Sequence, residues 1–104
     1  MANNTIEYQV KTFICEYWSY KLDKLKLETT LDDIGMFGDD KYDFIISFCK
    51  KFNLNTERFP FDKYVDDEGG YFIRKLLFRK EKRKIYPISI LMLINWIEKG
   101  YWEE

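Results

Sequence analysis

Between residues 30 and 52 the chain reads TLDDIGMFGDDKYDFIISFCKKF, a turn rich in Gly and Asp that runs into an amphipathic pattern. Placed about 100° apart from Asp39 onward, Tyr42, Phe44, Ile45, Ile46, Phe48, Cys49 and Phe52 fill a little over half of a helix circumference. Asp39, Asp40, Asp43, Ser47, Lys50 and Lys51 occupy the rest. An apolar arc that wide needs neighbours on several sides, so the stretch predicts the central helix of a bundle. Its start is marked by Gly38, which tolerates a sharp turn, and by an Asp carboxylate able to accept the orphan N–H groups. Lys50 and Lys51 put the favourable charge at its other end. The three carboxylates read either as caps on a solvated face or as a charged ridge shown to a basic partner.

A chain of 104 residues predicts a single domain, residues 1–104, with one core. Aromatic residues make up 19% of it, so large rings should dominate the burial. The net charge of −1 excludes bulk attraction to nucleic acid, but the charges segregate locally. Residues 28–43 hold six acids and one base, Lys41, whereas residues 74–84 hold seven bases and one acid, Glu81. With no histidine, every chemistry built on His triads, His bases or His metal ligands falls away. Cys15 and Cys49 sit in helical patterns without metal-ligand spacing and read as small buried thiols. The opening MANNTIEYQV lacks the order of a signal peptide, and no run reaches the roughly 20 apolar residues of a membrane span. The expectation is a cytoplasmic protein with reduced thiols.

Asn4 and Glu7 predict a capping box, and Ile6, Val10, Phe13, Ile14 and Tyr17 predict a first helix over residues 4–20, with a Glu7–Lys11 pair. Tyr8, Cys15 and Trp18 lie toward its other side and need cover from the connection that follows. That connection, residues 21–38, is anchored by Leu25, Leu27, Leu31 and Ile34, with one helical turn at 31–34. A second connection carries a short helix near 62–65, where Phe59, Phe61 and Tyr64 plug the core. Residues 71–84 read as a short helix, with an edge strand as the alternative. The last helix opens at Ser89, with an Ile88–Leu93 staple, and stops at Gly100. Its narrow polar strip predicts burial on most sides; otherwise it presents Met92 and Trp96 outward. Trp102 is expected to pack the chain end against the core.

This order of elements carries a resemblance. Leu31-Asp32-Asp33-Ile34-Gly35, Gly38-Asp39-Asp40, Phe52, the FPFDKY run 59–64 and the closing stretch 88–102 with Gly100-Tyr101-Trp102 together resemble an uncharacterised bacterial family classed as acyl-carrier-protein-like. The resemblance covers residues 28–102 and implies an all-α, four-helix acyl-carrier-protein-like bundle with a long first loop and a basic segment before the last helix. Carriers bear phosphopantetheine on the serine of an Asp-Ser-Leu motif at the start of the second helix. Here an ungapped count from Phe52 puts Gly38 at that position, and aligning the turn puts Asp39 or Asp40 there. Ser47 lies more than two turns into the helix. The resemblance therefore implies a carrier-like domain with no cofactor.

What such a domain keeps is its acidic second-helix surface, so Asp39, Asp40 and Asp43, with Asp32 and Asp33 nearby, are the candidate docking residues for a protein with a basic patch. The seven bases of residues 74–84 either match the acidic ridge of a second copy or fold back on their own. The expected function is non-catalytic protein–protein interaction. The alternative is binding to nucleic acid or an anionic membrane through Arg74, Lys75, Arg79, Lys80, Lys82, Arg83 and Lys84, with Phe72 and Phe78 as stacking or inserting rings.

Overall fold

The computed structural model describes residues 5–65 and 85–103, and its regular elements there are all helical. Helix α1 runs Ile6–Trp18, α2 Gly38–Phe52, α3 is the single turn Phe61–Tyr64, and α4 runs Ile90–Lys99. Two 3₁₀ turns, Leu22–Lys24 and Asp32–Ile34, shape the long connection between α1 and α2. The element expected over 71–84 and the Gly69-Gly70 pair lie outside the described residues.

Thr5, rather than Asn4, caps α1: its Oγ1 accepts from the Tyr8 amide at 3.1 Å. The helix ends earlier than expected because Ser19 turns left-handed at φ 55° and closes its N–H onto the Cys15 carbonyl. Val10 and Ile14 are fully buried and the helix packs against α4. Tyr17, near the C-terminal end of the same stripe, stays 36% exposed and sets its ring edge-on to Phe44 at 5.3 Å. On the other side, the Trp18 indole donates to the Ile34 carbonyl at 2.7 Å, so the long connection does cover it. Tyr8 remains exposed. The Glu7–Lys11 pair closes at 2.7 Å.

Three of the four expected anchors of the long connection, Leu25, Leu31 and Ile34, are buried. Leu27 is not; its backbone does the anchoring, taking the Leu91 amide on its carbonyl at 3.0 Å. A helix start leaves its first amides without intrahelical partners, and here the connection supplies them. Thr29 O accepts from Ile90 at 2.9 Å, Leu27 O accepts from Leu91, and Ser89 Oγ accepts from Met92 at 3.2 Å. A short antiparallel bridge between Thr30 and Ser89 fixes the register. Ile88 and Leu93 are both fully buried, as a staple requires. Gly100 ends α4 at φ 82°.

The core is dominated by rings. Phe13, Phe44, Phe48 and Phe52 form one group along α1 and α2, and Phe48 passes the contact to Trp96 on α4 at 5.9 Å. Around Trp96 stand Phe59, stacked at 5.1 Å, and Trp102, edge-on at 5.0 Å. Phe59, Tyr64 and Trp102 are buried, while Phe61 is only half-buried. Burying each large side chain of this kind contributes about 1.5–3 kcal/mol. The apolar arc of α4 is resolved in favour of burial: Trp96 is sealed, Met92 half-buried, and Leu91 is the side chain left in solvent. Cys49 is a free buried thiol whose pKa burial pushes up to about 11, and Cys15, half-buried, is raised for the same reason.

A candidate docking face at the start of helix α2

The turn into α2 is set by backbone rather than by a capping side chain. Met36 is buried, Phe37 is extended at the N-cap position, and Gly38 turns left-handed at φ 54° to enter the helix. The expectation that an Asp carboxylate caps this helix is corrected: among the described residues no side chain caps it, and the Asp40 amide goes to the Phe37 carbonyl at 3.1 Å. Asp39 and Asp40 are exposed. Their negative charge still suits the positive end of the helix dipole.

Lys41 changes the electrostatics of the turn. It is 1% exposed, drawn inward between two segments. Its Nζ lies 2.5 Å from Asp32 Oδ1 and donates to the Tyr64 carbonyl at 3.2 Å. One lysine thus ties the long connection and α3 to α2. The only base among the acids of residues 28–43 is removed from the surface.

The five carboxylates expected on the face therefore divide. Asp39, Asp40 and Asp43 are exposed and form no ion pair among the described residues. Asp32 is committed to Lys41. Asp33, inside the second 3₁₀ turn, is tied to Thr30 by a reciprocal pair of 3.0 Å bonds between each amide and the other's side chain. Local hydrogen bonding of this kind is what short polar side chains do beside a turn. The three carboxylates that remain share one rim of α2.

Two rings stand beside them. Tyr42, expected within the buried arc, is 45% exposed. It sits in the first turns of α2, where its ring meets Phe61 at 5.1 Å and leaves its other side to solvent. Phe37, which the periodicity of α2 does not reach, is 55% exposed. Its signal was present in the sequence: an apolar residue occupies the position before Gly38 where a polar cap is usual. Carboxylates beside exposed rings can pair with Lys or Arg side chains and offer ring faces to the same cations.

The basic residues Arg74, Lys75, Arg79, Lys80, Lys82, Arg83 and Lys84 lie outside the described residues, as do Phe72 and Phe78. Among the described residues no group of three or more His, Cys, Asp or Glu side chains gathers as a metal set, and no helix is long and apolar enough to cross a membrane.

Fold and face together define a small domain, helical throughout its described residues, with an anionic, aromatic-flanked rim on helix α2. The profile of a family described as a protein of unknown function, DUF1493, matches residues 3–103, and the chain belongs to that family. No curated protein matches the chain, and no solved structure does.

Proposed function

We propose that this chain is a non-catalytic interaction module, an acyl-carrier-protein-like bundle without a prosthetic arm, which docks a protein bearing a basic patch through Asp39, Asp40 and Asp43. The observation that carries the reading is the withdrawal of Lys41 into the interior, which leaves three exposed carboxylates on one rim with no base paired to them among the described residues. Such a rim steers a cationic partner and sets its register, and its attraction falls as salt rises.

The succession of helices and the Gly-Asp-Asp turn support the carrier-like part, and the same turn supports the loss of the arm. Gly38, at the serine position of an ungapped alignment, is buried in left-handed backbone that an L side chain rarely adopts. Asp39 and Asp40 offer carboxylates, which cannot form the stable phosphodiester that a hydroxyl forms. Intact mass is expected to stay unchanged after incubation with a phosphopantetheinyl transferase and coenzyme A; a gain of the prosthetic-group mass overturns the armless reading.

The docking reading is tested by reversing the rim. Asp39→Lys with Asp43→Lys should keep the helical circular dichroism of the parent and weaken capture of the partner roughly a hundredfold or more, because like charges set against each other cost several kcal/mol. A partner held as tightly by the double variant as by the parent ends the proposal.

A further inference from the structure

We draw no further inference here: the strongest candidate, the groove at the seam of α1 and α4 lined by Ile6, Leu27, Leu91 and Ile94, leaves Leu27 and Leu91 exposed, and it carries nothing because nothing in the structure shows what covers it.

Discussion

Asp32→Ala is expected to destabilise the chain by about 3–5 kcal/mol, the cost of leaving a buried charge without its counter-ion. Equilibrium urea unfolding is the measurement. The reason lies in an asymmetry of the pair. Lys41 is 1% exposed, so without Asp32 its ammonium keeps, among the described residues, the Tyr64 carbonyl at 3.2 Å. The Asp32 side chain is 34% exposed and can turn to water when Lys41 is removed. Lys41→Met, which refills the space with an unbranched apolar chain and leaves behind the partly exposed carboxylate rather than the sealed ammonium, should therefore cost clearly less than Asp32→Ala. Equal losses from the two substitutions would show that Lys41 acts by its charge alone and that the difference in burial is irrelevant. Since small domains are stable by only about 5–15 kcal/mol, a loss at the upper end would bring the chain close to unfolding.

Trp96→Ala should cost about 3–5 kcal/mol by the same measurement, the range for emptying a large buried aromatic site. Trp96 is the side chain through which the two ring groups touch. It meets Phe48 at 5.9 Å, Phe59 in a stack tilted by 5°, and Trp102 at 5.0 Å. Removing it opens a space bounded by other large rings, which close-packed neighbours fill poorly. Its indole N–H has no hydrogen-bond partner among the described residues, so the contribution is that of area and packing. Trp96→Phe keeps a ring and forfeits no hydrogen bond there, and should retain most of the stability. If phenylalanine proves as damaging as alanine, the packing account fails.

Wherever a residue's role was set by its near neighbours in the chain, the sequence was a good guide. The Ser89 cap, the Gly100 stop, the Glu7–Lys11 pair and the one-turn helices at the two connections are local matters of spacing and hydrogen bonding. The shift of the first cap from Asn4 to Thr5 is an error of one position between two residues of nearly equal capping ability. The candidate face was only half legible. Periodicity put Asp39, Asp40 and Asp43 on the polar side of α2, where they are exposed. It also put Tyr42 in the buried arc, because an angular pattern cannot tell how far along the helix its neighbours extend. Phe37 lies outside the repeat altogether.

Read alone, the order of residues determined an all-helical domain with an aromatic core and a central helix carrying a carboxylate edge, because helical periodicity and caps are properties of segments a few residues long. Only the tertiary structure decided which charges stay at the surface. Lys41 sits among Asp residues in the chain and should offset them, yet it reaches Asp32 nine positions earlier and the Tyr64 carbonyl 23 positions later. Those partners are brought together by the packing of the connection and α3 against α2. Whether a charge is buried or solvated depends on that packing, which no local pattern records.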